Sequence, residues 1–190
     1  MFPVDAFRST LGKAVTIFRE QNIAFHLTGG ITSVYYGEPR MTQDIDIVID
    51  NEATSSCLDA FLASLAESDF LFEERSIRKA LAERGMFQLL DKVESLKLDI
   101  YPRELIPGEL GRSVLAEVFE DELLPIASRA DAAASKLVWV DRGSIKSRRD
   151  LRQIFRTGST AEQGLIRELA DRLTLGALLA EVLGEPDDIP

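Results

Sequence analysis

The segment from His26 to Asp50 constrains this chain more than any other. Residues 23–27 read as a strand, Gly29-Gly30 as a turn, and the chain then enters a short helix through Tyr36. It returns as a second strand over residues 44–50, in which Ile45, Ile47 and Ile49 share one face. Asp44, Asp46, Val48 and Asp50 share the other. Two carboxylates two residues apart on one strand face repel each other unless a cation lies between them. Such a pair suits Mg²⁺, which takes a few hard oxygen ligands and keeps water or phosphate oxygens for the rest. The glycine pair upstream lets a phosphate chain approach backbone N–H groups at a helix start. The stretch reads as a nucleotide–metal site.

The rest of the chain is compatible with that reading. Its 190 residues, 45% of them apolar, suffice for a core of one domain with a helical appendage. A single cysteine, Cys57, excludes an internal disulfide and a cysteine-rich zinc site, and a single histidine, His26, argues against histidine-bound zinc. There is no secretory leader pattern and no run of the roughly 18 apolar residues a membrane helix needs. The expectation is a soluble, cytoplasmic protein without membrane contact, frayed only at its tail over residues 184–190.

Along the chain, residues 3–21 carry Phe7, Leu11, Val15 and Phe18 at helical spacing. Residues 54–66 predict one helix capped by Asn51 or Thr54, and residues 76–84 a basic helix closed by Gly85. Two strands follow over 86–90 and 96–101; the second turns Asp99 out of an apolar row, with Lys97 and Tyr101 on the same side. A short strand is expected through Leu124 to Ile126. From Ser128 onward the pattern is helical: 128–141, 146–156, and one helix from the Thr157–Thr160 break to Leu183. This gives an α/β (α+β) fold, a small mixed sheet flanked by helices over 1–127 with a C-terminal helical bundle over 128–190 packed on it.

These residues resemble a nucleotidyltransferase of the polymerase-beta-like fold. The resemblance rests on Gly29-Gly30, on Asp44-Ile-Asp46, and on Asp99 within Lys97-Leu-Asp-Ile-Tyr101. It is nearer to the abortive-infection and toxin–antitoxin branch, whose Arg-x-Thr-x-Asp-x-Asp run stands here as Arg40-Met-Thr-Gln-Asp-Ile-Asp46. Lys136 on a helix after the sheet, the basic turn Arg142 to Lys146, and Asp150 match that branch as well.

The resemblance implies transfer of a nucleoside monophosphate from NTP to a hydroxyl of RNA or protein, with an antitoxin as a further partner. It implies Asp44, Asp46 and Asp99 as catalytic residues and ligands of Mg²⁺ or Mn²⁺, two ions in all, with Asp99 serving the acceptor side. Thr28, Gly29, Gly30, Ser33, Lys136 and Asp150 would meet the nucleotide, Lys136 as a point cation on the triphosphate. Each position has a plainer reading too. The aspartates could form a solvated strand face, with Lys97 pairing to Asp99; Lys136 could snorkel past Ala133, Leu137 and Val140. Asp150 could be helix N-terminal charge, and Arg40 and Thr42 could hold only the loop. His26 reads as a core or supporting residue, Tyr35 and Tyr36 as packing. The alternatives in function are a silent nucleotide- or partner-binding module of the same fold and a small-molecule nucleotidyltransferase.

Charge bears on the acceptor. The net charge is −10, yet residues 129–156 hold eight basic and three acidic side chains. Either that segment meets a polyanionic acceptor, RNA ahead of a protein hydroxyl, or its cations pair with the acidic remainder of the chain.

Overall fold

The computed structural model describes residues 4–38 and 44–186, so Arg40, Thr42 and the last four residues of the tail lie outside the described residues. Helix α1 (Val4–Glu20) leads into β1 (Phe25–Thr28), α2 (Gly29–Tyr36) and β2 (Asp44–Ile49). Next come α3 (Asn51–Ser56), α4 (Leu58–Glu67), β3 (Phe70–Leu71), α5 (Glu74–Glu83), β4 (Phe87–Asp91) and β5 (Lys97–Tyr101). The hairpin β6 (Val114–Phe119) and β7 (Glu122–Ile126) precedes α6 (Arg129–Asp141), α7 (Ile145–Arg156), α8 (Thr160–Arg172) and α9 (Gly176–Gly184). Among the described residues no helix is long and apolar enough to cross a membrane.

The strands make one mixed sheet in the order β3-β4-β5-β2-β1-β7-β6. At its centre β2 runs parallel to β5 and antiparallel to β1, and β1 runs parallel to β7. Register follows from alternation: Leu27, Ile47 and Ile100 align across three strands on one face, and Thr28, Asp46 and Asp99 align beside them on the other. The apolar face is closed by α1 and α4. Phe18 stands 5.3 Å from Phe25 and 6.2 Å from Phe61, ring centre to ring centre. Leu11, Phe18, Ile45, Ile47, Phe61 and Leu65 are wholly buried there, which fixes which side of β2 can face solvent. The buried apolar residues form one cluster reaching into α6, α7, α8 and α9.

Several elements differ from the sequence reading. The helix expected over 54–66 is two, broken at Cys57, and its cap is Asp50, which accepts from the Ala53 N–H at 2.7 Å. Asp50, the carboxylate four places past Asp46 on the same face, is thus used up in starting α3. Helix α5 begins at Glu74, and the left-handed residue after it is Arg84 (φ +52°) rather than Gly85. The last predicted helix is also two, α8 and α9, split where Thr174 adopts φ +60°. Strands β3 and β6 carried no expectation; the strand expected near Leu124 is the longer β7, paired with β6.

Candidate active site

The polar face of the central strands is built outward from Asp46. Gly29, at φ +62°, turns the chain from β1 into α2 so closely over Asp46 that an added Cβ would stand 2.0 Å from Asp46 Oδ2. The next residue, Gly30, donates its N–H to the same oxygen at 3.4 Å. From β5 the Tyr101 hydroxyl donates to Asp46 Oδ1 at 3.3 Å. Burial raises the Asp46 carboxyl above its ordinary range and Asp99 adds to this, while the Gly30 N–H, Lys136 and Tyr101 act against it. A buried carboxylate that its surroundings leave short of positive charge is suited to receiving a cation. Thr28 ends β1 and precedes α2 without making a side-chain cap bond.

Asp44 stands on the same side of β2, half exposed, and Lys97 lies across from it in register on β5. The Lys97 ammonium sits 3.3 Å from Asp44 Oδ1 and 3.2 Å from Asp99 Oδ2. Asp99 is nearly buried and takes a second bond from Gln88 Nε2 on β4, at 2.9 Å.

The third group comes from the helices. Lys136 on α6 and Asp150 on α7 form a buried ion pair at 3.0 Å. Ser33 on α2 donates to the same Asp150 oxygen at 3.0 Å and lies 2.9 Å from the Gly29 carbonyl oxygen. Lys136 is therefore not a snorkelling surface lysine, nor is Asp150 a solvated helix-start charge; together they tie both helices to the glycine turn.

These pieces border one cleft of about 480 Å³. Thr28, Gly29, Gly30, Asp44, Asp46, Lys136 and Asp150 line it. Ser33 and Asp99 are outside its wall and reach it through partners, Ser33 by Asp150 and Asp99 by Lys97, whose ammonium also holds the lining Asp44. The wall also holds Lys146, from the basic turn that the resemblance singled out, and Tyr101, Arg103, Glu109 and Trp139, which the sequence reading did not select. Two of these carried a signal: Tyr101 follows Asp99 at strand spacing, and Trp139 follows Lys136 at helical spacing. Arg103 and Glu109 sit on the loop after β5, where no periodicity points inward. Below the cleft His26 is wholly buried, its Nδ1 2.8 Å from Ser113 Oγ and its Nε2 3.7 Å from Glu109 Oε2. Tyr36 packs, giving its hydroxyl to the Ala127 carbonyl at 3.0 Å under the Arg129 guanidinium.

Asp44 and Asp46, hard oxygen donors beside a nucleotide-sized cleft, fit one Mg²⁺ or Mn²⁺ whose other ligands are water and phosphate oxygens. The fit of Asp99 is poorer, because its two oxygens are engaged by Gln88 and Lys97. Among the described residues no three His, Cys, Asp or Glu side chains stand together as a metal shell.

The basic segment is largely neutralised from within. Arg129 pairs with Glu162, Arg149 with Glu38, Arg148 with Glu181 and Glu185, and the buried Arg152 with Glu185. At least five of its eight cations, Lys136 included, have carboxylate partners among the described residues.

The architecture has known counterparts. The solution structure of the antibiotic-resistance factor ANT(2'')-Ia matches with a TM-score of 0.60 at 16% identity, over 95% of this chain and 98% of that one. The crystal structure of ANT(2'')-Ia in complex with adenylyl-2''-tobramycin matches at 0.56 and 16%, over 87% and 97%. An antigenic nucleotidyltransferase-like protein from Paracoccidioides brasiliensis matches at 0.50 and 14%, over 96% and 94%. At such identities the likeness is one of fold. No curated protein matches the sequence. Residues 16–180, however, match the family described as "Nucleotidyl transferase AbiEii toxin, Type IV TA system". That stretch runs from the C-terminal end of α1 into α9 and takes in every residue of the cleft, so the chain belongs to the AbiEii nucleotidyltransferase toxin family.

Proposed function

We propose that this chain moves a nucleoside monophosphate from an NTP to a hydroxyl group of a macromolecule, RNA or protein, and serves as the toxin of a toxin–antitoxin pair. The observation that carries the reading is Asp46, held between the Gly30 N–H and the Tyr101 hydroxyl beside Asp44, in a cleft that Lys136 enters from the helical side.

A divalent ion on Asp44 and Asp46 would supply Lewis-acid charge to the triphosphate. The backbone at Gly29-Gly30 lets phosphate oxygens approach the start of α2, where N–H groups and the helix dipole favour negative charge. Lys136 adds a point cation, held in place by Asp150. The acceptor oxygen forms a bond to the α-phosphorus, the bond from that phosphorus to the bridging oxygen of the β-phosphate breaks, and pyrophosphate leaves. The hydroxyl proton passes to Asp99, which lies opposite Asp46 in the paired strands.

The test uses cell extract, Mg²⁺ and each NTP labelled at either the α or the γ position, followed by separation of RNA from protein. Label from the α position enters one of the two fractions and γ label enters neither. Transfer of γ label would make the protein a kinase and end the reading. Asp99→Asn abolishes transfer while NTP binding persists.

A further inference from the structure

A lysine lies between two of the three carboxylates expected to bind metal. Lys97 lies directly across from Asp44 in the parallel β2–β5 pair, and Asp99 lies two residues further along the same strand face. Register and alternation therefore oblige the lysine to share a side with both aspartates. Its ammonium is nearly equidistant from them, 3.3 Å from Asp44 Oδ1 and 3.2 Å from Asp99 Oδ2. The other Asp99 oxygen already holds the Gln88 amide. A second divalent ion bridging Asp44 and Asp99 would have to displace the ammonium, or sit beside it against charge repulsion.

We propose that Lys97 is a resident counter-cation of this site, standing in for a second metal, so that the site takes one divalent ion on Asp44 and Asp46. This rests on the nucleotidyltransferase reading. In its terms Asp99 faces the acceptor with a fixed ammonium at its side, and the acceptor side of the cleft works without a metal of its own.

Counting bound metal tests this without any acceptor. Mn²⁺ is titrated into the full chain with each of the four α,β-methylene NTPs, and free Mn²⁺ is read from its paramagnetic resonance signal. Wild type binds one ion per chain, and Lys97→Arg also binds one. Lys97→Met, which keeps the stem and removes the charge, binds two, the second at least tenfold more tightly than any residual binding by wild type. Asp99→Asn leaves the wild-type count at one.

Two ions in wild type, or one in Lys97→Met, would overturn the proposal. So would loss of the first ion in Asp99→Asn, since Asp99 would then be a ligand. Failure of wild type to bind any Mn²⁺ with any analogue would sink the nucleotidyltransferase reading, and this proposal with it. Circular dichroism of each variant confirms that the counts come from folded protein.

Discussion

Gly29 and Asp46 are packed so closely that residue 29 has no room for a side chain: a Cβ there would stand 2.0 Å from Asp46 Oδ2. The contact joins the phosphate-approach turn and the carboxylate strand into one unit. Gly29→Ala has two costs, about 1–2 kcal/mol for a left-handed alanine and a displaced Asp46 besides. The expected outcome is a lowered melting temperature together with at least tenfold weaker Mn²⁺ binding. A variant that melts lower but binds Mn²⁺ normally would show that the turn does not position the carboxylate.

Lys136 and Asp150 form a buried pair, and removing one partner strands the other. Lys136→Met lowers the unfolding free energy by about 3–5 kcal/mol in a urea titration. Lys136→Met combined with Asp150→Asn recovers most of that loss, since no charge is left unpaired. NTP affinity stays low in both, which separates the contact of Lys136 with phosphate from its part in the fold. Recovery of NTP affinity in the double variant would remove Lys136 from the nucleotide site.

Below the cleft, His26 and Glu109 titrate in opposition. Burial pushes the His26 imidazole down to about 4, against Asp131 and Glu104, which act to raise it. Burial pushes the Glu109 carboxyl up to about 7; Asp131 and Glu104 add to this, while the Leu105 and Ile106 N–H groups act against it. Near pH 5.5 the folded chain therefore carries a proton on Glu109 and none on His26, and the unfolded chain carries the reverse. The Glu109 contribution is complete below about 4.5 and is lost as pH rises through about 7. The His26 contribution is complete above about 6.5 and is lost as pH falls through about 4. The two slopes cancel in wild type. In Glu109→Gln the His26 slope stands alone, so stability relative to wild type rises by about 1.4 kcal/mol per pH unit between pH 5 and 6. His26→Gln gives the opposite slope. Parallel profiles for all three proteins would refute the assignment.

Internal ion pairing limits what the basic segment offers a polyanion. With Arg129, Lys136, Arg148, Arg149 and Arg152 engaged, the segment has at most three further cations, Arg142 and Lys146 among them, to offer a polyanion. Binding of single-stranded RNA should then weaken with salt on a log–log slope no steeper than about −2, at roughly 0.7 per phosphate. Arg142→Glu with Lys146→Glu flattens that slope. A steeper slope in wild type would mean that the internal pairs open to receive RNA.

Those four expectations draw unequally on sequence and on tertiary structure. Asp44, Asp46 and Asp99 could be placed on one side of a sheet from the alternation of isoleucines and leucines alone, because a strand's period of two leaves no choice once one face is buried. The glycine turn was readable for the same kind of local reason, and helices α6 and α7 from their 3.6-residue spacing. Their breaks and caps were less so: Asn51 or Thr54 was expected to cap the helix that Asp50 starts by accepting from the Ala53 N–H. Tertiary structure alone decided which charges meet. Lys97 beside Asp44 depends on the β2–β5 register, Lys136 beside Asp150 on the packing of α6 against α7, and Glu109 against His26 on the path of an aperiodic loop. A residue's face is set by neighbours two to four positions away, whereas its partner is set by contacts between elements far apart in the chain. For that reason the carboxylates were legible as a set and Lys97 beside Asp99 with them, whereas the pairings between distant elements were not.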